Sequence, residues 1–235
     1  MTTSLRSPFL ALSLFAVVSG CAAGNYTRSV NGTKGGYSMT NVHPKPISLM
    51  VAKKVERPLY IVLDANKVKD AWTLSTGACA TGGMGCEHFD LMDMQLFVRR
   101  DLKAAMENYF TTVQVVNGAQ ALPSTPHIVA DVKIDDMKIN GLVRGGMTYA
   151  IIEMNWGFAL RPSDQEEYAY SFAGLAQSND SYPTFEAGCA QLVENAIPAM
   201  LKKWTEDGGI ARLRTTLPTA LPTTLPTTLP TTKKK

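Results

Sequence analysis

Between His127 and Ile134, residues Ile128, Ala130, Val132 and Ile134 alternate with the polar Asp131 and Lys133. Only an extended strand sends residues of this spacing to one side, so this stretch commits the chain to a sheet with one apolar and one polar face. The alternation slips at Asp135-Asp136 before Met137 and Ile139, as at a bulge. From Thr148 to Arg161 a second strand is expected, with Ala150, Ile152, Met154, Trp156, Phe158 and Leu160 on one side. The turn-forming Pro162-Ser163-Asp164-Gln165 then leads into Glu167 to Gln177, where Tyr168, Tyr170 and Phe172 alternate as in a hairpin partner. Leu59 to Val68 begins with a continuous apolar run, the mark of a buried strand, and Thr111 to Val116 reads as a further short one.

Two segments carry the helical period instead. Met94, Val98, Leu102, Ala105, Met106 and Tyr109 fall on one stripe between Met94 and Phe110, with Asp93 in the N-cap place. A second helix is expected from about Pro183 to Asp207, its stripe formed by Phe185, Cys189, Leu192, Val193, Ala196, Ile197, Met200 and Trp204. Pro198 should kink it and Gly208 should stop it. Each helix has one apolar side and needs an apolar sheet face to cover. The expected fold is therefore α+β: a two-layer sandwich, largely antiparallel, of four to five strands with two helices packed on one face, occupying residues 47–210 as a single domain.

The N-terminus limits where such a domain works. Met1 to Arg6 is a short basic start, and Phe9 to Val18 is an apolar run of ten residues. As a helix that run rises about 15 Å, half of the roughly 30 Å hydrocarbon core, so residues 1–20 read as an export signal and not as a membrane span. The next residues, Val18-Ser19-Gly20-Cys21, resemble the lipobox of bacterial lipoproteins. The resemblance implies cleavage before Cys21, acylation of its thiol and new amino group, and attachment to a membrane through that lipid. Ala22, not Asp, follows, which by the same resemblance directs the lipoprotein to the outer membrane. Several acyl chains, at about 0.8 kcal/mol per buried methylene, hold far more firmly than one.

Residues 21–46 are rich in Gly, Asn, Ser and Thr and show no period, which reads as a flexible tether. Residues 211–235 repeat Leu-Pro-Thr-Thr, with Ala220 once in the last place, and end in Lys233, Lys234 and Lys235. A Pro every four residues excludes a regular helix, so a disordered tail is expected. The formal charge of +3 belongs to these ends: from Lys45 to Asp207 there are 15 basic against 20 acidic residues, a net of −5. An acidic domain offers no groove for nucleic acid.

Beyond Cys21 the cysteines are Cys79, Cys86 and Cys189. Cys79 and Cys86 enclose the glycine-rich ATGGMG and are candidates for a disulfide in an exported protein; Cys189 lies on the helical stripe as a small core residue or a further bridging partner. Sharper readings make Cys79, Cys86 and His88 a metal site, or Cys86 a nucleophile beside His88. The first lacks a fourth ligand at a usual spacing, since His43 and His127 are remote, and the second rests on adjacency alone. The acid pairs Asp135-Asp136 and Glu166-Glu167 sit at a bulge and a turn, where solvated acids belong. GLVRGG and ATGGMG lack the flanking residues of a phosphate cradle. The sequence thus points to no catalytic residue, no metal and no cofactor.

The strand and helix order behind a lipobox resembles a broad group of small envelope lipoproteins, among them the lipopolysaccharide-assembly lipoprotein type and related accessory lipoproteins. Over roughly Pro58 to Asp207 the resemblance implies two helices on a mixed sheet. It also implies a noncatalytic role as partner of another cell-envelope component. The alternative expectation is a small-molecule or metal-binding module built on the Cys79 to His88 loop.

Overall fold

A computed structural model describes residues 36–47, 53–75, 88–144, 147–179 and 184–215. Five strands form the main sheet: β2 (Leu59–Leu63), β5 (Val113–Asn117), β6 (Ile128–Arg144), β7 (Met147–Pro162) and β8 (Tyr170–Gln177), in the order β5-β2-β6-β7-β8. A smaller sheet holds β1 (Tyr37–Ser38), β3 (Trp72–Ser75) and β4 (His88–Met92), in the order β1-β4-β3. The α+β sandwich expected from the alternation is what forms.

The main sheet is mixed. β2 runs parallel to both β5 and β6, while β6-β7 and β7-β8 are antiparallel. The antiparallel ladders are the longer ones, because β6 and β7 pair over almost their whole lengths, from Ile128 opposite Pro162 to Arg144 opposite Met147. β2 contributes LYIVL, buried at Leu59, Ile61 and Leu63, which is the continuous apolar composition of a strand flanked on both sides by parallel neighbours.

Register shifts between Ile134 and Asp136, so the inward set changes parity from Ile128, Ala130, Val132 and Ile134 to Met137 and Ile139. Asp135 is the extra residue, and the Ile134 N–H at the bulge is bonded to the Lys67 carbonyl at 2.9 Å.

The inner face is covered by helices. A π-helix, Phe97–Leu102, runs into α1 (Lys103–Met106); α2 spans Phe185–Glu206 and α3 Gly209–Thr215. All six stripe residues expected on the first helix are buried, as are all eight on α2. Thr184 caps α2 by accepting the Ala187 N–H at 3.2 Å. Gly208, at φ +65°, ends it as expected. Trp204 sits at the centre of an aromatic cluster with Tyr109, Phe110 and Tyr170, ring centroids 4.8 to 6.1 Å away.

Three expectations need correction. Asp93 does not cap the first helix: its carboxylate accepts from Ser38 Oγ, its φ is +59°, and the Gln95 N–H goes instead to Asp70 Oδ1 at 3.2 Å. The tether does not extend to Pro46, because Met39 and Val42 are buried at 1% exposure and Tyr37 stacks on Phe185 at 4.4 Å. Isolated apolar anchors of this kind carry no period that could announce them. Nor does the domain stop at 210: α3 continues beyond it and buries Leu213 completely.

Candidate functional site

The face of the main sheet away from the helices is the surface that alternation leaves free. Along β7 and β8 it presents Glu153, Asn155, Gly157, Ala159 and Arg161 beside Ser171, Ala173, Leu175 and Gln177, the counterparts of the buried Ile152, Met154, Trp156, Phe158 and Leu160. β6 adds Asp131, Lys133 and Lys138. Leu175 is 51% exposed and Tyr168, just before β8, is 52% exposed.

Its charges are organised in short-range groups. Asp131 lies 3.7 Å from Lys67 Nζ and 3.9 Å from Arg161 Nε, and accepts the Tyr168 hydroxyl at 3.2 Å. Asp135 is solvated, as expected of an acid at the bulge, and also pairs with Lys133 at 2.9 Å. Glu153 is the acid that sequence reading missed. It is only 7% exposed, accepts from Gln177 Nε2 at 2.5 Å and lies 3.2 Å from Lys138 Nζ. Burial pushes its pKa up, but the bonds from Gln177, Asn140 and Lys138 outweigh that and leave it lowered. The one signal available was an acid lodged between Ile152 and Met154 on an otherwise apolar strand.

At the end of this face His127 is 4% exposed. Its Nδ1 donates to the Thr125 carbonyl at 2.7 Å, and its ring meets Tyr60 edge-on at 5.2 Å. Nε2 is buried with no hydrogen-bond partner. Nearby, Arg57 Nη1 stands 3.7 Å from Asp164 Oδ1.

A concave region lies on the helical side, where residues 42–47 cross α2. A groove of about 630 Å³ is lined by Ile47, Tyr109, Glu194, Pro198, Leu201 and Lys202, among others, and an adjoining recess of about 240 Å³ reaches Arg100, Asp101, Val193 and Ile197. Pro198 has no N–H to give the Glu194 carbonyl, and separately the Glu194 carboxylate accepts the Lys45 N–H at 2.8 Å. The Arg100 guanidinium forks the Asp101 carboxylate at 2.7 and 3.1 Å and also donates to the Met39 carbonyl at 3.1 Å. Burial pushes the Asp101 pKa up, with Arg100 pulling against it. These contacts bind residues 38–47 to the helices.

Of the residues singled out by sequence, Cys21, Cys79 and Cys86 lie outside the described residues. His88 is placed by its backbone at the start of β4, paired with Ser75. Cys189 is buried at 1% exposure with a free thiol, the core residue its stripe position predicts; burial pushes its pKa up strongly. His43 borders the recess beside α2, remote from His127 on the opposite side of the sheet. Glu166 and Glu167 are exposed in the turn before β8. Among the described residues no three His, Cys, Asp or Glu side chains are grouped as metal ligands, and no helix is long and apolar enough to cross a membrane.

The fold places the chain among α+β two-layer sandwiches with one open sheet face. No family model matches it, and no curated protein matches it. Among solved structures it is similar to protein XCC0632 from Xanthomonas campestris, of family model DUF330, at 11% identity and TM-score 0.47, over 76% of this chain and 96% of that one.

Proposed function

We propose that this chain is a noncatalytic lipoprotein of the outer membrane, held by lipid on Cys21, whose domain binds another component of the cell envelope. The observation that carries the reading is the Val18-Ser19-Gly20-Cys21 segment directly behind an apolar run too short to span a bilayer. The open sheet face supports it: paired charges around Asp131 and Glu153, with Tyr168 and Leu175 exposed, offer a flat surface suited to a protein partner. The buried Glu153 of that face is occupied by the Lys138 ammonium and the Gln177 amide, an arrangement that fixes shape.

The test has two arms. Cys21→Ala should move the protein from the membrane fraction to the soluble fraction. A photo-crosslinking residue in place of Lys133, in intact cells, should capture a discrete envelope protein. Retention of the Cys21→Ala variant in the membrane would refute the anchor, and crosslinks no different from those of a helix-side position such as Lys202 would refute the binding face.

A further inference from the structure

Edge strands expose unpaired N–H and C=O groups, and proteins guard them with Lys, Pro, bulges or covering elements. The two edges of the main sheet differ in length, β5 having five residues and β8 eight, and a short edge is itself such a guard. At β5, whose VQVVN likewise lacks charge and Pro, Arg99 bonds the Asn117 side chain at Oδ1, 2.5 Å away. β8, with the sequence YSFAGLAQ, contains no charge and no Pro. Asn195 covers only its end, donating to the Gln177 carbonyl at 2.8 Å.

The β7-β8 register determines which groups are left over. Ser178 N–H bonds the Ile152 carbonyl, so even-numbered residues of β8 direct their backbone to β7 and odd-numbered ones direct theirs outward. Ser171, Ala173 and Leu175 therefore point N–H and C=O groups at the free edge, and among the described residues none of these groups has a partner.

We propose that this edge pairs with the same edge of a second copy of the chain, antiparallel about a two-fold axis at Ala173, so that one sheet runs through both copies. The sequence is self-complementary in that register. Ala173 faces Ala173 of the second copy, Ser171 faces Leu175, and Phe172 faces Gly174; no charged residue meets a like charge. Gly174 is the reason the rings fit. A Cβ there would stand 2.7 Å from Phe172 Cζ, so each ring lies over the glycine of its own strand, as aromatic side chains do when they shield a glycine in a sheet. Phe172 is held in that pose by Trp156 at 5.3 Å and by Lys203 Nζ at 5.9 Å.

The test uses the full chain in detergent, its mass measured by sedimentation with the detergent contribution matched out. The wild type should sediment as a dimer that dissociates on dilution. In the double variant S171K/L175K like charges face each other twice across the axis, and the dimer should weaken about tenfold or more; in S171K/L175E each Lys faces a Glu and the dimer should persist. Both positions are exposed, so all three proteins should share one circular dichroism spectrum and one melting temperature within a few degrees. A wild type that stays monomeric at every concentration, or two double variants that associate equally, would overturn the proposal. A third variant, A173P, removes one outward N–H that the monomer does not use and should give monomers; a dimeric A173P would likewise count against it.

Discussion

Glu153 is an acid buried to 7% exposure that stays ionised because Gln177, Asn140 and Lys138 compensate the lost water. Since its folded pKa is lowered, the stability it contributes is full above the unfolded value of roughly 4.3 and disappears as pH falls through the lower folded value. Glu153→Gln, which cannot titrate, should therefore show a shallower loss of stability below about pH 4 than the wild type, measured by urea midpoints across pH. Equal slopes would show that Glu153 carries none of the acid sensitivity. Gly209 meets a different constraint. A Cβ there would fall 1.8 Å from Trp204 Cδ1, inside a fully buried indole that has no room to retreat among Tyr109, Phe110 and Tyr170. Gly209→Ala should lower stability by about 1–3 kcal/mol, with the denaturant slope unchanged. Cys189, buried among Phe185, Leu192 and Val193 on the α2 stripe, should resist thiol reagents until the protein unfolds; modification in native buffer at the rate of an exposed thiol would contradict its placement.

The long elements were readable because one side of each touches the core and the other touches water. β6, β7, β8 and α2 all appear where alternation or the 3.6 period indicates, and the bulge at Asp135-Asp136 is visible as a parity change in the sequence itself. Pairing was less visible. That β2 lies between β5 and β6 in parallel depends on contacts far apart in sequence, and an apolar run such as LYIVL states burial without stating a neighbour. The short β1, β3 and β4 have too few residues to establish a period, and the π-helix retains the same buried stripe as an α-helix would. The pinned segment 38–47 was invisible because side chains from elsewhere hold it: Arg100 on the Met39 carbonyl, Glu194 on the Lys45 N–H and Asn108 on the Ile47 carbonyl at 3.0 Å. Met39→Ala should accordingly cost about 2–5 kcal/mol, a loss that a free tether would not show. The bulge makes a stricter prediction. Deleting Asp135 leaves Ile134, Met137 and Ile139 facing the core and should yield a folded protein. Deleting Lys133 keeps both flanks in parity but turns Ile134 outward and Asp135 into the core, and should not. Proteolytic resistance of the two deletion proteins distinguishes them.

At the scale of the molecule, three regions of different chemistry follow one another: a basic and apolar start that ends in Val18-Ser19-Gly20-Cys21, an acidic α+β domain and a basic-ended Leu-Pro-Thr-Thr repeat. The candidate surface was legible in part. Alternation showed that one sheet face would stay open, whereas the grouping of Lys67, Arg161 and Tyr168 around Asp131 depends on the turn after β2 and the turn before β8 converging in space. The proposed placement of the whole on a membrane rests on Cys21. The most direct measurement is the intact mass and N-terminal peptide mass of the mature protein extracted from cells. The account predicts a chain beginning at Cys21 and heavier than its amino-acid mass by a thiol-linked diacylglyceryl group and an amide-linked acyl chain. A mature protein starting at another residue, or carrying an unmodified Cys21 thiol, contradicts it.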